Sequence, residues 1–196
     1  MGFKNWMGAA FGKEPESPKL ESQIHNELGF QPGQFLTLDV LDHRDKEYRV
    51  ERVEALTRNI DGVLFNSTDY ILGCSSDTIA RILRVAEKRS WLFYLYDDFG
   101  FDQSFLVILN EALESTFSLD DESAEYLPIG SSALDIDRVD NLGEQETVRQ
   151  WSFGRETKDE AGQSFNELLF VEMSKGSGWF SLWRGTEIPT DHIMAI

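Results

Sequence analysis

One cysteine, Cys74, stands in 196 residues. An internal disulfide is therefore excluded, and the reducing cytoplasm is the expected compartment. Set in YILGCSS, the residue reads as a small buried hydrophobe rather than a reactive thiol. No stretch approaches the ~18 uninterrupted apolar residues of a membrane-spanning helix. After Lys4 the chain shows no apolar core and no cleavage site of a secretory leader, and Trp6 stands where an acylation signal needs Ser or Thr. His25, His43 and His192 share no zinc-binding spacing, and one cysteine cannot complete such a site.

A glycine-rich phosphate loop is also missing, which decides a tempting reading. His43-Arg44-Asp45 and Asp98-Phe99-Gly100 match the two tripeptides of a protein kinase's catalytic loop and magnesium aspartate. Phosphoryl transfer also needs a glycine-rich cover and an asparagine five residues past the catalytic aspartate, where Val50 stands. The first tripeptide instead reads as a hairpin tip, since Asp42 and Asp45 bond their own backbone in turns. The second reads as a strand-to-helix corner with Gly100 supplying backbone freedom.

Cations are scarce: 18 Lys and Arg against 35 Asp and Glu, a net charge of −17. Between residues 90 and 148 fourteen carboxylates meet a single cation, Arg138. The balance argues against nucleic acid as a partner, because its phosphates are repelled and few protein cations are present to release its counterions. The same imbalance suits a basic protein surface or a small cation. ALDIDRVDN offers Asp135, Asp137 and Asp140 as a candidate metal or cation site, although Val139 occupies a position where a calcium loop needs an oxygen ligand. The competing reading is a solvated acidic loop.

What remains is dominated by strand patterns. At 41% hydrophobic residues the chain can close one core. Residues 1–20 read as an amphipathic segment and linker, with Phe3, Met7, Ala10 and Phe11 at helical spacing, Trp6 beside them, and Lys4 and Lys13 nearby, as a short helix that packs on the core or docks on a partner or membrane surface. Residues 21–196 read as one β-rich domain. Strands are expected at 35–40, around 48–53, as a pair of short strands about NSTD (66–69), and at WLFYLY (91–96), TVRQWSFGRE, SFNELLFVEM and GWFSLWRG. Residues 75–88 fit helix or strand, and the β-rich neighbours favour the strand. Asp102 caps a helix over about 103–116, and residues 118–147 read as a long acidic loop. Trp179 and Trp183 share one face of the last aromatic strand, opposite Phe180 and Leu182, and supply anchor types common at interfaces beside a core reading.

The runs LGFQPGQFLTLDVL and KEYRVERVEAL near the start, and RQWSFGRE, ELLFVEM and GWFSLWRGTEIPTDHIMAI near the end, resemble the YjfK-like family of uncharacterised bacterial proteins. The resemblance carries no catalytic residues and no cofactor to transfer. It implies gene neighbours that include a phage-shock-protein-A-like protein, small membrane proteins and a glutathionylspermidine-synthase-like enzyme. Its implication is an accessory role in envelope stress or polyamine-linked physiology.

The expected fold is thus α+β, predominantly antiparallel β meanders in a sandwich or partly open barrel, with one clear helix and a short N-terminal helix. The expected function is a non-enzymatic cytoplasmic accessory protein that binds an unidentified protein, of the phage-shock-protein-A-like or membrane-protein kind, with peripheral contact at the inner membrane. The proposed contacts are Phe3, Trp6, Phe11, Trp179 and Trp183. The alternative is a cation or polyamine binder, or an enzyme, using the carboxylates of 97–146.

Overall fold

The computed structural model describes residues 29–39, 46–74, 80–86, 89–119, 125–158, 162 and 164–196. In chain order they form β1 (Phe35–Leu38), β2 (Glu47–Ile60), β3 (Val63–Cys74), β4 (Ala80–Ala86), β5 (Arg89–Phe99), α1 (Gln103–Ala112), β6 (Phe117–Ser118), β7 (Glu125–Pro128), β8 (Leu134–Asp140), β9 (Gln145–Lys158), β10 (Ser164–Ser174) and β11 (Phe180–Pro189). A 3₁₀ turn (Thr190–His192) leads into β12 (Ile193–Ala195). The strand-rich antiparallel architecture with one helix is as the sequence led us to expect. The short N-terminal helix, with Phe3, Trp6 and Phe11, and the tripeptide His43-Arg44-Asp45 lie outside the described residues.

The strands join in the order β12-β1-β2-β3-β4-β5-β11-β10-β9-β7-β6, and the two ends do not meet. Across the middle of this sheet, β8 pairs with β2 on one side and β9 on the other. Eight strands, β2, β3, β4, β5, β11, β10, β9 and β8, thereby each pair with two others in a circuit. The inner apolar cluster takes Leu56 from β2, Trp91 and Phe93 from β5, Ile136 from β8, Val148 from β9, Leu168 and Phe170 from β10 and Trp183 from β11. That membership identifies it as the inside of the circuit. Two further clusters lie on outer faces. One gathers Leu36 and Leu38 of β1 and Ile193 of β12 with Tyr48, Tyr70, Leu72, Leu92 and Ile188. The other seats Leu109 and Ala112 of α1, with Phe117 and Tyr126, on Trp151, Phe153, Leu169, Val171, Phe180 and Leu182.

Local chemistry explains these elements. Asp61 (φ 53°) and Gly62 (φ 85°) turn the chain between Ile60 and Val63, the two-residue hairpin in which both central residues need positive φ. Asn59 Oδ1 accepts from Gly62 N at 2.9 Å and fixes the bend. NSTD therefore lies inside one long strand, β3, and does not separate two short ones. In β2 the pairing to β3 slips between Val50 and Arg52, leaving Glu51 as an extra residue. The period-2 face flips at that bulge: Tyr48 and Val50 face the outer cluster before it, and Leu56 faces the interior after it. In α1, Asp102 accepts from Ser104 N (2.8 Å) and Phe105 N (3.3 Å), satisfying donors of the first turn. The helix ends at Ala112, one turn short of the expected Thr116, in turn bonds from Glu114 N to Glu111 O and Ser115 N to Ala112 O. Gly100 is not among the positive-φ residues, so the corner after β5 does not require glycine for its backbone; a Cβ there would rest against Trp179 at 3.7 Å.

Two expectations for the middle of the chain have outcomes here. Residues 80–86 form strand β4, on the favoured side of the helix–strand ambiguity. Residues 118–147 are not one long loop, since β7 and β8 fall within them. Polar side chains at two inward positions of β8, Arg138 and Asp140, hid its alternation.

Candidate functional site

Alternation along β2, β3, β8, β9 and β10 sends a set of polar side chains into the circuit beside the apolar cluster. Glu54 pairs in register with Asp69, Leu56 with Arg138, and Gln150 with Glu172. Glu54, Asp69 and Glu172 are 5%, 1% and 3% exposed, burial that carboxylates adopt only with partners. Arg138 Nη2 reaches Glu172 Oε2 at 2.6 Å, and Gln150 Nε2 donates to Glu172 Oε1 at 2.6 Å. Arg52 Nε reaches Glu54 Oε1 at 2.7 Å, and the buried Arg58 donates to Ser67 Oγ at 2.6 Å. Burial by itself would lower the affinity of Arg138 for its proton. Glu172, then Asp69 and Glu54, outweigh it, so the guanidinium is held above its ordinary range. It is a fixed cation, suited to organising carboxylates and not to exchanging a proton.

One end of this array opens into a polar cleft of about 280 Å³. Arg52, Glu54 and Arg138 form its floor side, and Asp140, Glu144, Gln145 and Glu146 of the β8–β9 turn line the rest. Both arginines are engaged, with Glu54 and Glu172. Asp140 accepts from Leu142 N and Glu144 N, each at 2.8 Å, and so shapes the turn. Glu144 and Glu146 are exposed, which leaves the cleft mouth anionic.

A second polar network lies on the outer side of the sheet. Tyr126 of β7 donates its hydroxyl to Glu167 Oε1, which Arg155 Nη2 and Arg184 Nε also reach, each at 3.0 Å. The Arg155 guanidinium lies 4.4 Å from the Tyr126 ring centre. Burial first, and then the Glu167 carboxylate, push the Tyr126 hydroxyl above its usual range despite the two arginines. The phenol stays protonated, as a donor to Glu167.

The three aspartates of the candidate metal site do not converge. Asp135 and Asp137 lie on the outward face of β8, and Asp140 is buried on the other. Asp135 bonds Lys175 Nζ at 2.6 Å and Arg149 Nε at 3.3 Å, and Asp137 accepts from Thr147 Oγ1 at 2.7 Å. Among the described residues no group of three or more His, Cys, Asp or Glu is placed to hold a metal ion. Period-2 geometry is the physical reason: positions 135 and 140 of one strand cannot share a face.

The aromatic strand divides as its alternation requires. Trp183 is buried in the inner cluster with Phe93 and Phe170. Trp179, just before β11, is 49% exposed. Phe101, just past β5, is 58% exposed; its ring stacks on Phe180 and its Cβ would lie 3.4 Å from a Cβ at Gly178. Ile108 and Val107 of α1 are also about half exposed. Sequence reasoning singled out Trp179 and missed Phe101. The available signal was the pair of aromatics around Gly100: both stack on Phe180, but Phe99 also packs on Phe105 and is partly buried, while Phe101 stays exposed. Asp98-Phe99-Gly100 is thus a packing corner. Cys74 packs, partly buried, against the outer cluster of β1 and β12.

No family model matches the chain, and no curated protein and no solved structure matches it. Among the described residues no helix is long and apolar enough to cross a membrane.

Proposed function

We propose that this chain is a non-enzymatic accessory protein that works by binding another protein through the aromatic end formed by Phe101 and Trp179. The observation that carries the reading is the exposure of these two large rings just past the paired ends of β5 and β11, Phe101 stacked on Phe180 and Trp179 beside Gly100. Scattered exposed apolar residues are ordinary, but large aromatic rings held exposed where two paired strands end are of the residue types that anchor interfaces. The resemblance to the YjfK-like family supports the same role, in the bacterial cytoplasm or at the inner face of its membrane, beside envelope-stress or polyamine-linked proteins. A photo-crosslinking residue placed at position 179, compared with one at the exposed Leu142, tests it in cells. One discrete adduct from position 179 alone is expected. Identical adduct patterns from both positions, or none from 179, remove the reading.

A second reading rests on the cleft, which gathers Asp140, Glu144 and Glu146 of the acidic region with Glu54. Its volume and anionic mouth suit a small polycation such as a polyamine. Calorimetry with spermidine and with calcium tests it. Micromolar binding lost in Glu144→Gln/Glu146→Gln supports the cleft, and no heat with the unaltered protein refutes it.

A further inference from the structure

Strand β12 ends one side of the sheet order, and among the described residues only β1 pairs with it. Ile196 N donates to Phe35 O at 3.0 Å and Asp39 N to His192 O at 2.8 Å, in one unbroken register. Bonded and non-bonded pairs alternate along an antiparallel ladder, so Thr37 and Met194 form the bonded pair between these two. Leu36–Ala195 and Leu38–Ile193 are then the non-bonded pairs, and the backbone groups of Ala195 and Ile193 point away from β1. The Ile193 amide turns back onto Thr190 O. The amide and carbonyl of Ala195 and the carbonyl of Ile193 thus face the open edge.

Phe35 stands opposite Ile196, and Thr37 opposite Met194, so all four share the face turned away from buried Leu36, Leu38 and Ile193. On that face Phe35, Met194 and Ile196 are 47%, 49% and 69% exposed. Edge strands are ordinarily blunted by charge, proline or a bulge. Residues 193–196 contain neither charge nor proline, and β12 pairs with β1 without a bulge. Residues 34–38 are uncharged as well, so in a chain of net charge −17 two copies can meet here without setting carboxylates face to face.

We propose that β12 pairs antiparallel with β12 of a second copy about a two-fold axis at Ala195, each Ala195 amide donating to the Ala195 carbonyl of the other copy. This alignment uses only backbone groups already aimed outward. It sets Met194 of each copy beside Ile196 of the other, as a close non-bonded pair. An alignment centred on Met194 would instead need the Ile193 amide, which Thr190 holds. The two-fold consumes the β12 edge of both copies and closes the assembly at a dimer. It is independent of the binding role of the aromatic end.

Sedimentation velocity of the full chain over about 5 to 500 µM tests this, because so short a contact gives a weak dimer. The sedimentation coefficient should climb with concentration from monomer toward dimer. Over the same range the Ala195 amide should become protected from hydrogen exchange, while the Asp39 amide, bonded to His192, is protected throughout. Ala195→Pro removes an outward-facing donor and should weaken association about tenfold, whereas Ala195→Ser, which keeps the donor, should not. Met194→Lys, at a half-exposed site, should weaken it as strongly by setting a charge against Ile196 of the other copy. This second variant decides the matter if the proline variant loses protection at Asp39. Trp179→Ala should leave association unchanged. A monomer at every concentration overturns the proposal, as does a dimer untouched by Met194→Lys, or by Ala195→Pro with Asp39 still protected. Growth past the dimer overturns the two-fold. A dimer lost in Trp179→Ala but kept in Ala195→Pro assigns association to the aromatic end and overturns the proposal as well.

Discussion

Replacing Glu172 by glutamine tests whether the charges inside the circuit are as dry as their packing implies. The substitution keeps the shape and opens no cavity, but removes one charge from a side chain that is 3% exposed. Arg138 then loses its 2.6 Å partner, and the new amide cannot accept from both Arg138 and Gln150 as the carboxylate does. With an effective dielectric of about 20, unit charges about 4 Å apart attract by about 4 kcal/mol. Breaking one side of a buried pair costs about 3–5 kcal/mol in measured cases, the bare charge left behind being the main cost. A loss of that size is a large share of the roughly 5–15 kcal/mol that a domain possesses. Urea unfolding followed by far-ultraviolet circular dichroism reads it directly, with an unchanged m-value showing that only stability moved. In a double-mutant cycle, Arg138→Met should cost clearly less in the Glu172→Gln background than in the unaltered chain. A Glu172→Gln loss below about 1 kcal/mol, or a cycle that adds without coupling, would refute the reasoning, because it would mean that water already reaches these groups.

The other expectations concern single contacts. Gly185→Ala places a methyl group onto the ring of Phe93, which is itself stacked on Phe170 with centroids 4.6 Å apart, so a loss of about 1–3 kcal/mol in urea unfolding is expected, partly restored by Phe93→Leu. Tyr126 has a raised hydroxyl pKa in the folded state, so its contribution is fully present below pH 10 and is lost as pH rises from there through the folded value. Stability measured at pH 9 and 11 should therefore fall more steeply in the unaltered chain than in Tyr126→Phe, and parallel curves would contradict the Glu167 contact. Asp102→Ala should loosen the first turn of α1 in hydrogen exchange while Asp102→Asn, which can still accept from Ser104 N, preserves it.

How much of this was readable beforehand depended on whether apolar periodicity survived. In β10 the run Leu168–Val171 is apolar on both faces, because one face meets the interior and the other meets the cluster under α1, and such a strand announces itself. The helix was legible through Asp102 and the spacing of Phe105, Leu109 and Ala112. Strand β8 was not, since Arg138 and Asp140 occupy inward positions that an apolar pattern would have filled. The extra residue at Glu51 broke the phase of β2 in the same way. Asp135, Asp137 and Asp140 are adjacent in sequence but divide between two faces of β8, whereas the buried carboxylates acting on Arg138 bring Glu54 and Asp69 of the β2–β3 hairpin together with Glu172 of β10. Nothing local reveals such a grouping. The union of β1 with β12 is equally non-local and equally hidden.

Strand β8 carries the cation that its neighbours require, which ties topology to charge. Without β8, Glu172 would lose its 2.6 Å partner Arg138, while Glu54 would still have Arg52. The same strand completes the hydrogen-bonded ring and carries the guanidinium that meets Glu172. The ring should consequently open as one cooperative unit: backbone amides of residues 136–140 and 54–58 should share one exchange rate, and Arg138→Met should accelerate both sets together. Separate rates would mean that the clasp and its charge can come undone independently.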